Sequence, residues 1–124
     1  MKAEVVSTHR GGMWSWLFQR ITAVLLIVCL ALHLIYTHIL SIGDISYETV
    51  GDRVMHGSFT ALDIILLTAG IYHALNGLRM VLMDYWFTSH KRALALTIFL
   101  SAVGIAFLVY GVWGLWPYIG YKVG

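Results

Sequence analysis

The residues of this sequence that could do chemistry are His73, His33, Arg20, Arg79, Asp84 and Tyr85, and all fall in or beside long apolar runs. An ionisable group inside an apolar span is costly and is by default a candidate functional site. Neutral imidazole ligates haem iron. His73 has Gly70 and Gly77 three and four positions away, hence on the same helical face, and the small Ala74 next to it. Missing side chains beside an imidazole leave room for a close helix or for a flat macrocycle. His73 lies about 17 Å along a helix from Asp84, and His33 about 20 Å from Arg20. Both imidazoles are therefore expected at comparable depths. The alternative for either is a hydrogen bond to a neighbouring helix, a contact worth about 1 kcal/mol.

The other candidates cluster near one end of the spans. Arg20 and Arg79 can snorkel to the interface, or pair with a haem propionate or another anion. Asp84 is a candidate ion-pair partner for Arg79. A phenol beside a carboxylate, as in Asp84-Tyr85, can anchor a helix at the interface. It is also what a quinone site requires: a donor for a carbonyl oxygen and an acid to relay protons. Asp63 is expected to be a helix-terminal residue at the opposite end.

These side chains must be positioned by membrane helices. Hydrophobic residues make up 60% of the 124 and charged ones 11%, too few charges to cover a water-soluble domain. Three apolar runs, about 19–40, 59–84 and 91–114, each reach the roughly 20 residues that a span needs. Backbone in hydrocarbon must satisfy its own hydrogen bonds, so the runs are helices. The fold class is an all-α membrane protein, a single three-helix domain over 1–124. Its small size and its polar groups point to packing with a second membrane chain. A net charge of +2 with scattered cations gives no nucleic-acid footprint. The lone Cys29 excludes an internal disulfide.

Charge in the flanks predicts orientation. Lys2 and Arg10 precede the first span and Arg20 opens it, Lys91 and Arg92 open the third, while the first connector carries Asp44, Glu48 and Asp52 against Arg53. The N-terminus is thus expected on the cytoplasmic side, and no cleavable signal is expected. Trp14, Trp16, Tyr85, Trp86 and Phe87 mark one interface; Trp113, Trp116, Tyr118 and Tyr121 mark the other. Pro117 is expected to stop the third helix. The connector should contain a short amphipathic turn, with Gly43-Asp44 and Gly51-Asp52 as turn signals.

The run His73-Ala74-Leu75-Asn76-Gly77-Leu78-Arg79, followed by Asp84-Tyr85, resembles the smaller hydrophobic membrane-anchor subunit of succinate dehydrogenase. So does Trp16-Leu17-Phe18-Gln19-Arg20-Ile21-Thr22-Ala23 at the opening of the first span. The three-span layout and length agree over nearly the whole chain. The resemblance implies that His73 is an axial ligand of haem b, the other coming from a partner anchor. It implies that Asp84 and Tyr85 belong to the quinone pocket and that Arg20 lies near the haem propionates and that pocket. The segment Leu30-Ala31-Leu32-His33-Leu34 is compatible with the first-span ligand to a distal haem in two-haem members, the reading preferred here, and also with a satisfied histidine in a one-haem complex. Ligation of one iron by His33 and His73 together is a third option.

The implied partners are the second anchor, an iron–sulfur subunit, a flavoprotein subunit, lipid, and menaquinone or ubiquinone. The implied location is a bacterial or archaeal cytoplasmic membrane. The chain alone is not expected to be an enzyme. Rival readings are the haem-binding subunit of another respiratory oxidoreductase, such as a hydrogenase or formate dehydrogenase, and a small non-redox transporter.

Overall fold

The computed structural model describes residues 12–39, 46–86 and 89–120, apart from the side chains of 54 and 118–120. The expected roles of Lys2, Arg10, Gly43-Asp44, Phe87, Tyr118 and Tyr121 lie outside that description. The elements are α1 (Gly12–Leu34) running into a π-helical turn (Ile35–Ile39), α2 (Tyr47–Met55), α3 (Gly57–Tyr85) and α4 (His90–Gly120). Three stretches, Gly12–Ile39, Gly57–Tyr85 and His90–Pro117, are long and apolar enough to cross a membrane.

The first span starts earlier than its apolar core suggests. Trp14-Ser15-Trp16 is helical, because nothing between Gly12 and Gln19 breaks the ladder and Ser15 finds a partner on α3. At its other end Thr37 Oγ1 donates back to the His33 carbonyl at 2.6 Å, and the helix widens into a π turn. Arg53 Nη1 donates to the Thr37 carbonyl at 3.4 Å, so a cation meets the carbonyl end of the span.

The amphipathic turn expected in the connector is α2, a helix with a full capping box. Ser46 Oγ accepts from the Thr49 N–H at 3.2 Å, and the Ser46 N–H donates to Thr49 Oγ1 at 3.0 Å. Such a reciprocal cap satisfies two otherwise orphaned donors. Only His56, in an extended conformation, separates α2 from α3.

The long helices form a row with α3 in the middle. α3 packs against α1 on one side and α4 on the other, while α1 and α4 share no packed interface of their own among the described residues. Both neighbours run antiparallel to α3. Small residues allow the close approach on the α4 side. A Cβ at Gly111 would lie 2.6 Å from a Leu67 methyl, and one at Gly104 would lie 2.9 Å from a Leu75 methyl. Met83, Leu96 and Leu100 form the small buried core. Most large apolar side chains are exposed on the row's faces, a surface suited to lipid or to another membrane chain. The chain is an integral membrane protein.

Pro117 does not end the last helix. It lies inside α4, which continues to Gly120. A proline removes only its own N–H from the ladder, and spanning helices tolerate that break when local geometry adjusts.

Candidate functional site

α1 is fastened to α3 by a polar strip in an otherwise apolar interface. Ser15 Oγ donates to Asn76 Oδ1 at 2.7 Å, and Asn76 Nδ2 donates to the Ser15 carbonyl at 3.2 Å and to Gln19 Oε1 at 2.8 Å. Gln19 Nε2 donates to the His73 carbonyl at 3.1 Å. One turn on, Thr22 Oγ1 lies 3.2 Å from His73 Nδ1. Ser15, Gln19 and Thr22 stand at i, i+4 and i+7, so they share one face of α1. That spacing was visible in the sequence, although only the facing partners His73 and Asn76 stood out as polar groups inside a span.

The Thr22 contact fixes the His73 tautomer. A hydroxyl has one hydrogen and two lone pairs. Thr22 Oγ1 directs its hydrogen at the Phe18 carbonyl, 2.7 Å away, with the Gln19 carbonyl at 3.2 Å. Its oxygen is then an acceptor for His73, so Nδ1 carries the ring proton and Nε2 a free lone pair. No hydrogen bond reaches Nε2 among the described residues, and no buried side-chain nitrogen or oxygen there lacks a partner. Nε2 therefore reaches the surface of the row, where an iron could meet it. His73 fits a haem ligand on this ground.

Gly77 answers the question of what its missing side chain is for. A Cβ there would lie 3.0 Å from Gln19 Nε2, whereas Gly70 has only a Leu26 methyl at 3.9 Å. Gly77 makes way for α1, whereas a side-chain carbon at Gly70 would only touch α1 at ordinary contact distance.

His33 pairs with Asp63, its Nδ1 3.0 Å from Asp63 Oδ1. Asp63 is not helix-terminal as expected. α3 begins at Gly57, which places Asp63 more than a turn inside it, opposite His33 on α1. An ionised carboxylate only accepts, so Nδ1 again holds the proton and Nε2 is the free edge. The pair satisfies the imidazole, and it is also how metal-ligating histidines are commonly oriented.

The two imidazoles are not at comparable depths. His73 faces Thr22 and His33 faces Asp63, levels about 15 Å apart along the helices. The depth expectation took Arg20 as marking the end of the first span, whereas α1 begins two turns earlier at Gly12. Axial ligands of one iron must face each other across a single atom. His33 and His73 of one chain cannot do so.

Arg20 is exposed and lies over the Trp16 ring, 4.0 Å from its centroid. It stands close to the level of His73, since its neighbour Gln19 bonds the His73 carbonyl. Arg79 faces away from His73: its Nε donates to Thr97 Oγ1 of α4 at 2.8 Å. The expected Arg79–Asp84 ion pair does not form, because Arg79 turns to α4 while Asp84 is exposed. Among the described residues the single ion pair is His33–Asp63. Tyr85 is 75% exposed at the C-terminal end of α3, so Asp84 and Tyr85 offer free polar groups to whatever covers that end.

Comparison with known proteins agrees with this layout. Residues 3–116 match the family described as the succinate dehydrogenase/fumarate reductase transmembrane subunit. A hydrophobic membrane anchor subunit of succinate dehydrogenase from Archaeoglobus fulgidus is 40% identical over 70 residues, 56% of this chain and 60% of that protein. The succinate dehydrogenase 2 membrane subunit SdhC of Mycobacterium tuberculosis is 31% identical over 80 residues, 63% of this chain and 59% of that one. The match thus spans about 60% of the length of each of these two relatives. An anchor subunit from Rickettsia felis is 31% identical over 84 residues, 68% of either chain. The chain belongs to the succinate dehydrogenase/fumarate reductase transmembrane subunit family.

Proposed function

We propose that this chain anchors a succinate:quinone oxidoreductase in the membrane, contributes one axial ligand to haem b, and helps form the quinone site. The observation that carries the reading is the His73 ring: Nδ1 held by Thr22 at 3.2 Å and Nε2 free at the face of the row. The family and the names of the relatives supply the enzyme.

Haem b, when bound, supplies one-electron chemistry within the membrane. The chain's own work is to hold and orient. Thr22 and Gln19 fix the ring and the backbone of His73, so the ligand loses little freedom on binding. Arg20, close to the His73 level and exposed, offers a guanidinium to a propionate. At the end of α3, the Tyr85 hydroxyl donates to a quinone oxygen and Asp84 passes a proton towards it from water. The uneven charge of the flanks puts that end, with the N-terminus, on the cytoplasmic side. There the iron–sulfur subunit docks, and beyond it the flavoprotein at which succinate is oxidised. A second anchor chain would cover the face on which His73 Nε2 lies and supply a further ligand to the haem.

A second site follows from the His33–Asp63 pair. The carboxylate orients the ring as hydrogen-bonded acceptors orient metal-ligating histidines, about 15 Å further along the bundle than His73. His33 then serves a second haem rather than sharing the first.

Purification of the tagged chain from its native membrane tests the proposal. The expected result is co-purification of a flavoprotein and an iron–sulfur protein, a low-spin haem spectrum, and succinate-dependent quinone reduction. Recovery with the subunits of a different respiratory enzyme, or with no haem, overturns it.

A further inference from the structure

A groove of about 510 Å³ opens on one side of α3, between the N-terminal half of α1 and α4. Its lining is mostly apolar, with Phe18 on the α1 wall, Tyr72 and Asn76 on the floor and Leu108 on the α4 wall. His73 does not line it. It runs from the level of Arg79 to that of Thr68, about 16 Å along α3. That is about half of a 30 Å hydrocarbon core, the depth of one leaflet.

Arg79 gives the groove a polar end. Only its Nε has a hydrogen-bond partner among the described residues, Thr97. The remaining guanidinium donors are not buried without partners, so they are accessible. Among the described residues no carboxylate lines the groove. A lone guanidinium at the shallow end of an apolar channel one leaflet deep complements an anionic amphiphile.

Charge and depth favour a lipid: a headgroup phosphate at the level of Arg79 leaves a chain one leaflet long for the apolar remainder of the groove. One acyl chain, about 5 Å across at ordinary carbon contact distances, fills roughly 300 Å³. We propose that the groove holds one acyl chain of an anionic phospholipid whose phosphate sits on Arg79.

The test uses the purified complex, exchanged into equimolar phosphatidylglycerol and phosphatidylcholine, with the retained lipid quantified by native mass spectrometry. A single cation near the membrane surface gives roughly a five-fold preference for the anionic lipid. Wild type should retain phosphatidylglycerol over phosphatidylcholine by about that factor. Arg79→Gln should bring the ratio to about one, and Arg79→Lys should restore most of it. Ser101→Phe, which fills the groove from α4, should lower retention of both lipids. A wild-type unfolding midpoint in each variant shows that assembly is intact, whether or not haem is present. If Ser101→Phe fails to assemble, the two Arg79 variants decide. Equal ratios in wild type and Arg79→Gln overturn the proposal. So does a photo-crosslinker at position 105 that captures a protein chain in place of lipid.

Discussion

Thr22 Oγ1 accepts from His73 Nδ1 across 3.2 Å while spending its own hydrogen on the Phe18 carbonyl at 2.7 Å. The imidazole is thereby committed on one edge and open on the other. Removing such an orienting partner typically costs a metal site 10- to 100-fold in affinity. Thr22→Val should therefore release haem from the complex 10- to 100-fold more readily, measured by transfer of haem to an excess of apomyoglobin. Thr22→Ser, which keeps the hydroxyl, should restore retention. Equal haem retention in Thr22→Val and wild type would remove the hydroxyl's orienting role.

Asn76 joins Ser15 and Gln19 through three hydrogen bonds. Bonds of this kind between spanning helices are worth about 0.6 kcal/mol each, at most about 1.7. Asn76→Leu should lower the stability of the complex by about 1–2 kcal/mol, read from its unfolding transition in detergent. A change below about 0.3 kcal/mol would mean that apolar packing alone sets the α1–α3 register.

Tyr85 is free of intramolecular hydrogen bonds among the described residues and lies at the exposed end of α3. If its hydroxyl holds a quinone oxygen, Tyr85→Phe loses one hydrogen bond, about 1.4 kcal/mol. Succinate-dependent quinone reduction should then slow about ten-fold while the haem spectrum stays unchanged. A rate equal to wild type would take Tyr85 out of the site.

The His33–Asp63 pair separates two readings of haem number. With His33 as the ligand of a second haem, His33→Ala halves the haem per complex, and Asp63→Asn loosens the same haem 10- to 100-fold. Unchanged haem content in both variants makes the pair a plain interhelical contact.

The spans were legible because apolar length is a property of a single segment. Interhelical register was not. His33 and Asp63 are 30 residues apart in sequence, and nothing in either run says that the two helices meet at that level. The same gap misplaced the depth of His33, since Arg20 was read as an end marker while helix continued back to Gly12. Pro117 misled for a local reason: its ring blocks one bond, and the rest of the turn carries on to Gly120. Of the two occupants that Gly77 allows, a helix or a flat macrocycle, the structure shows the helix: the Gln19 amide of α1 fills that room.

Ligation of iron by His73 Nε2 is tested by the haem content of the His73→Ala complex. The purified assembly should lose the low-spin haem that His73 holds, with the flavin and iron–sulfur subunits still bound. An unaltered low-spin spectrum at wild-type haem content would contradict the assignment.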